Sequence, residues 1–190
     1  MKLAAKGFTL IELLIVIAVL GILAVAVLSA INPIEQINRS RDTGSRSDAE
    51  QLLGAIDRFY ATAGYYPWFI EAPEPPATNE TPLSAVDLTT WLDNANPAVA
   101  VLTKLSAAGT GELKGSFVTR ITTTGYNELS KYNHGGQGES TYVCFTPLSS
   151  SFQTEAWKRC GVAGAGLPPD LRDVAGTVCA SATTAMSCLP

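Results

Sequence analysis

The sequence predicts an α+β protein, with a long N-terminal helix packed on an antiparallel β-sheet domain at the C-terminal end. The N-terminal half of that helix is expected to be transmembrane. Three observations predict it. From Leu13 to Leu28 every residue is apolar or glycine. From Ala49 to Ala63 apolar residues recur at helical spacing. The last third holds short runs of β-branched residues between turn-forming ones, together with all four cysteines, Cys144, Cys160, Cys179 and Cys188.

At 190 residues the chain has room for one compact domain plus an extra element. The net charge is −4, and no Lys/Arg cluster follows residue 50, so a nucleic-acid partner is not indicated. An even cysteine count behind an export-like N-terminus favours disulfides and an oxidising compartment. No Cys-x-x-Cys pair exists and His134 is the single histidine, which argues against zinc. No metal, cofactor or catalytic set is expected, and the chain reads as a non-enzyme. His134 lies in the loop "KYNHGGQGES", where Gly135, Gly136 and Gly138 neither follow an apolar strand nor open a helix, so they do not cradle phosphate. Ser-His or Cys-His catalysis would rest on His134 alone. Carboxylate pairs such as Asp170/Asp173 and Glu71/Glu74 read as solvated surface.

Phe8 to Ile31 would make a helix of about 36 Å, enough for a hydrocarbon core of about 30 Å. A buried core helix would show a polar face, and none appears between Leu13 and Leu28. A secretory signal peptide fits Lys2, Lys6 and the Ala24-Val25-Ala26 cleavage-like site. Against it, the apolar run continues past that site and Glu12 stands where such a segment should be uncharged. A plain membrane anchor tolerates Glu12, because a carboxylate costs less near a helix end than the roughly 2.5–3.5 kcal/mol at its centre. Lys2 and Lys6 at one end and Arg39, Arg41 and Arg46 beyond the other leave the orientation open.

The stretch "KGFTLIELLIVIAVLGILA" resembles the prepilin signature of type IV pilins and type II secretion pseudopilins, almost position for position from Lys6 to Ala24. The resemblance implies that a prepilin peptidase cuts between Gly7 and Phe8 and that the new amine of Phe8 is methylated. Glu12 then stands fifth in the mature chain. By the same resemblance its partner is the N-terminal ammonium of a neighbouring subunit, so that the carboxylate sets register as helices pack in a filament. Phe8, Glu12, Leu13 and Gly21 would carry assembly, with Leu10 to Ile31 in the filament core. One departure is that Ser29 stands where many pilins have proline; the first proline here is Pro33. Any local melting of the filament helix would be shifted or weaker.

The implied organisation is a leader at 1–7, a hydrophobic transmembrane and filament-core helix at 8–33, an amphipathic continuation at 34–66 and a globular head at 67–190. The implied function is a structural subunit of a bacterial type IV pilus or similar filament, first in the inner membrane and then at the cell surface. Its partners would be copies of itself and related pilins, the prepilin peptidase and the assembly machinery. The alternatives are a type II secretion pseudopilin and, in another class, a membrane-anchored surface binding module.

Beyond Pro33, Arg39, Arg41 and Arg46 either contact headgroups or neighbouring subunits, or belong to a solvated face. Ala49, Leu52, Leu53, Ile56, Phe59, Tyr60 and Ala63 form a stripe expected to pack under a sheet. Gly64 and Pro67 mark its end, and Ser47 or Asp48 is expected to restart the helix after Gly44. "SDAEQLLGAIDRFYATAGYYP" resembles the equivalent helix of pilins and pseudopilins. Residues 67–82 contain five prolines and read as a connector. Leu83 to Leu92 and Pro97 to Ala107 read as short helices, and Ser116 to Thr124, Ser140 to Leu148 and the segment around Val178 as strands. Trp68, Trp91 and Trp157 are expected in the core. Asn38-Arg39-Ser40 and Asn79-Glu80-Thr81 fit the glycosylation sequon. Of the three cysteine connectivities, Cys144–Cys160 with Cys179–Cys188 is favoured because each closes a short local loop; Cys160–Cys179 competes.

Overall fold

The computed structural model describes residues 7–68, 81–85, 101–106, 110–134 and 140–190. The chain divides into two units, Met1–Ile37 and Asn38–Pro190.

In the first unit, helix α1 spans Leu10–Ala30. Ser29 stays helical and its hydroxyl donates to the Ala26 carbonyl at 2.8 Å. The helix ends where Ile31 turns extended (φ −103°, ψ 127°). Asn32 precedes Pro33, a position where proline disfavours helical backbone. Pro33 then opens α2 (Pro33–Ala63), its missing N–H costing nothing in a first turn, and the Asn32 carboxamide oxygen accepts the Glu35 N–H at 3.3 Å.

In the second unit, α2 runs unbroken through Gly44, so the restart expected at Ser47 or Asp48 does not occur. A mid-helix glycine costs about 1 kcal/mol, offset by the hydrogen bonds of buried Asp42 to Leu148 and Ser149 on one side and the burial of Ala49 and Leu52 on the other. Of the expected stripe, Ala49, Leu52, Ile56 and Phe59 are buried, joined by Ala55, while Tyr60 is exposed. The helix stops at Gly64, whose φ of +78° only glycine adopts freely and whose N–H returns to the Tyr60 carbonyl at 2.8 Å.

Four antiparallel strands follow in the order β1 (Thr81–Ala85), β2 (Leu129–Asn133), β3 (Thr141–Phe145) and β4 (Ser187–Leu189). Leu83–Ala85 therefore lies in a strand and not in the expected helix; the remainder to Leu92 is outside the described residues. β1 is at the sheet's edge, where Pro82 can withhold an N–H, and its register with β2 shifts between Thr81 and Ser84. Leu129, Val143, Phe145 and Leu189 pack with the α2 stripe, Trp68 and the short helix α3 (Val101–Leu105). Tyr132, Tyr142 and Cys144 pack instead with Leu167, Leu171 and Val178. Both faces are thus covered, and every residue of β3 is buried.

Ser116 to Thr124, expected as a strand, contains helix α4 (Gly115–Ile121). Its buried residues Phe117, Val118 and Ile121 share a helical face. The hydroxyls of Thr119, Thr122 and Thr123 bond back to the carbonyls of Gly115, Val118 and Thr119, so tertiary burial overrides β-branched propensity. The expected strand near Val178 is likewise helical, as α6 (Ala175–Val178). Helix α5 (Ser150–Cys160) and strands β2 and β4 had no sequence signal strong enough to name them. Of the tryptophans, Trp68 is buried, Trp157 is 40% exposed and so corrects the core expectation, and Trp91 lies outside the described residues.

The cysteines pair as Cys144–Cys188 and Cys160–Cys179, not as Cys144–Cys160 and Cys179–Cys188. Register decides it: the β3–β4 ladder sets Cys144 directly opposite Cys188. Cys160 ends α5, a helix of about 16 Å that separates it from β3. Cys179 caps α6 at a Cα–Cα distance of 5.8 Å from Cys160. Replacing Cys160 and Cys179 together by alanine is expected to cost about 3 kcal/mol in the chain-entropy account, read by urea denaturation. Peptide mapping without reduction is expected to recover these two pairs.

Candidate functional site

The site that the sequence singles out is the start of α1. "TLIE", Thr9 to Glu12, has the capping-box spacing, and the structure forms it. Thr9 is extended (φ −81°, ψ 153°), and its hydroxyl oxygen accepts the Glu12 N–H at 3.3 Å. Glu12 Oε2 accepts in return from the Thr9 N–H and the Thr9 hydroxyl, both at 2.8 Å. A carboxylate in the first turn also meets the positive end of the helix dipole.

A lone subunit thus already offers Glu12 hydrogen-bond donors. Its carboxylate is hydrogen-bonded inside its own chain because Thr9 stands three residues before it. Among the described residues no cation neutralises it. Thr9 is the functional residue the sequence reasoning passed over, although its T-x-x-E spacing announces the cap.

Gly7 and Phe8 precede the cap outside the helix, and Phe8 is 84% exposed. Leu13 sits in the first turn, its N–H bonded to the Thr9 carbonyl at 3.2 Å, while Gly21 lies in mid-helix. Phe8, Thr9, Glu12 and Leu13 thus share one end of α1, and Gly21 is apart from them. Every described side chain from Phe8 to Ser29 is exposed. An apolar surface of that extent is not a normal solvent face, since soluble monomers rarely show patches above a few hundred Å². α1 is also the one helix among the described residues long and apolar enough to cross a bilayer.

Other candidates found different roles. His134 Nε2 lies 2.8 Å from the Asp173 carboxylate, and Asp170 accepts the Tyr142 hydroxyl at 2.9 Å, so each aspartate holds its own neighbour. The Asn38 amide donates to the Leu148 carbonyl at 3.3 Å, which occupies the first sequon. Arg39, Arg41 and Arg46 are exposed, and Arg46 faces Glu50 one turn on at 3.5 Å. Glu71, Glu74, Asn79, Gly135, Gly136 and Gly138 lie outside the described residues. Among the described residues no cluster of three His, Cys, Asp or Glu side chains is placed to hold a metal.

Comparison with known proteins bears on the same end of the chain. The family model of the prokaryotic N-terminal methylation motif matches residues 2–28. Fimbrial protein EcpC of Eikenella corrodens is 40% identical over 67 residues, covering 35% of this chain and 42% of that protein. The chain therefore spans less than half the length of this curated relative. No solved structure matches. The N-terminal segment thus matches a prokaryotic N-terminal methylation motif, and the likeness to a fimbrial protein is consistent with the type IV pilin family.

Proposed function

We propose that the chain is the structural subunit of a type IV pilus or pilus-like surface filament. It is made as an inner-membrane precursor, cut between Gly7 and Phe8 by a prepilin peptidase, methylated at Phe8 and polymerised through α1. The observation that carries this reading is the pairing of two properties in one helix. α1 is apolar and exposed along its length, and its single carboxylate, Glu12, sits in the first turn just beyond the proposed cut. Lipid suits the apolar surface before assembly, and neighbouring copies of α1 suit it afterwards. Glu12 then pairs with the Phe8 ammonium of a neighbour, an arrangement in which a buried charge becomes tolerable. Leu13 and Gly21 lie on the packing surface, and the second unit forms the head.

The mass of the mature N-terminal peptide tests the reading. A start at methylated Phe8 is expected. A start at Val27 would replace it with ordinary secretion, and an intact Met1 with a plain anchor or surface binding module. Electron microscopy of cells then separates a pilus, seen as long extracellular fibres, from a secretion pseudopilus, which shows none.

A further inference from the structure

In the first unit the exposed apolar surface runs on past the helix that carries most of it. α1 covers 21 residues, about 31 Å, which already matches a hydrocarbon core of about 30 Å. Beyond its end Ile34 and Ile37, in the first turns of α2, are 68% and 55% exposed. At about 100° per residue the two lie about 60° apart around the helix, while Glu35 and Gln36 stand on the far side.

The break between the two helices is built into the chain. Ile31 is extended, the Asn32 carboxamide oxygen accepts the Glu35 N–H, and Pro33 has no N–H to return to α1. The last four carbonyls of a helix have no partner within it. In hydrocarbon such groups are too costly to leave unpaired, so the break belongs where water and headgroups reach it. A helix that opens at that level, with two isoleucines on one side and polar residues on the other, matches the boundary between acyl chains and headgroups. Lipid is the occupant this favours, because the pair follows directly on the exposed apolar face of α1, itself long enough to cross a bilayer.

We propose that residues 33–37 form an interfacial anchor, in which Ile34 and Ile37 dip into the acyl boundary of the adjoining leaflet. The anchor limits how far α1 slides along the membrane normal before assembly. The inference rests on the membrane-precursor reading and adds to it a lipid contact outside α1.

Site-directed spin labelling of the full chain tests it. All four native cysteines are paired, so a single introduced cysteine takes the nitroxide alone. Leu20→Cys, Ile34→Cys, Gln36→Cys and Ile37→Cys are compared in vesicles of phosphatidylcholine and phosphatidylglycerol at high lipid excess. Power saturation with oxygen, which concentrates in lipid, and with a nickel chelate, which stays in water, reads the depth of each label. The oxygen-to-nickel accessibility ratio is expected to be highest at Leu20, lowest at Gln36, and several-fold above Gln36 at both Ile34 and Ile37. A ratio at Ile34 and Ile37 no higher than at Gln36, with Leu20 still in lipid, would overturn the anchor alone. Shielding of both labels from oxygen and nickel alike would overturn it in favour of a protein contact. A low ratio at Leu20 would overturn the membrane reading as well, which tells the two failures apart.

Discussion

Asp42→Ala is expected to destabilise the second unit by about 4 kcal/mol, from the loss of three hydrogen bonds to one charged acceptor. Asp42 lies on α2 and is wholly buried. Its carboxylate accepts the Leu148 and Ser149 N–H groups, both at 2.8 Å, and the Ser149 hydroxyl at 2.5 Å. Ser149 is the N-cap of α5 and makes no cap with its own side chain. Asp42 stands in for that cap from more than a hundred residues earlier in sequence, and its negative charge faces the positive end of α5. Alanine would leave two backbone donors and a hydroxyl without partners in a dry interior, the costly half of the hydrogen-bond asymmetry. Asp42→Asn keeps the shape but turns an amide N–H₂ toward a donor, and is expected to lose about half as much. Urea denaturation of the full chain, followed by near-UV circular dichroism, measures both. A loss under about 1 kcal/mol for Asp42→Ala would mean that water or rearranged groups replace the clamp.

This clamp also marks where the sequence stopped being legible. The apolar run of α1 and the stripe at Ala49, Leu52, Ile56 and Phe59 are local patterns, and local patterns survive folding. The same stripe continues backward as Asp42, Ser45 and Asp48, each three residues apart and each buried. Polarity hid it, because a carboxylate reads as solvent-facing unless its donors are known, and those donors lie far along the chain. Lys131 is hidden in the same way. It is 0% exposed, its Nζ lies 4.7 Å from the Trp68 ring centroid, and burial pushes its amine well below the usual lysine range. β3 was visible as a β-rich run. β2 and β4 were not, since a sheet covered on both faces lacks the alternation that marks a half-buried strand. The disulfides follow from β3–β4 register, a property of pairing and not of loop length. At the candidate site Glu12 was legible as a charge against an apolar run. Its link to Thr9 was legible too, as a capping box, but drew less notice than a partner in another subunit.

That link allows the two roles of Glu12 to be separated. Glu12→Gln keeps the capping box, since glutamine at this position still accepts from Thr9. It removes only the charge that the assembly proposal requires. Thr9→Val does the reverse, removing the hydroxyl of the cap at about 1 kcal/mol while leaving the carboxylate ionised. If the carboxylate pairs with a neighbour's Phe8 ammonium, Glu12→Gln leaves that ammonium unpaired among apolar helices. The expected penalty of about 3–5 kcal/mol per contact lowers subunit association by roughly two to nearly four orders of magnitude. Filament yield, scored by shearing and by electron microscopy at matched subunit levels, is therefore expected to collapse in Glu12→Gln and in Glu12→Ala, and to fall only modestly in Thr9→Val. Normal filaments from Glu12→Gln would sink the charge-pairing role and leave Glu12 as a helix cap alone. A Thr9→Val defect as deep as that of Glu12→Gln would instead make the cap the essential element, with the carboxylate useful only while Thr9 holds it.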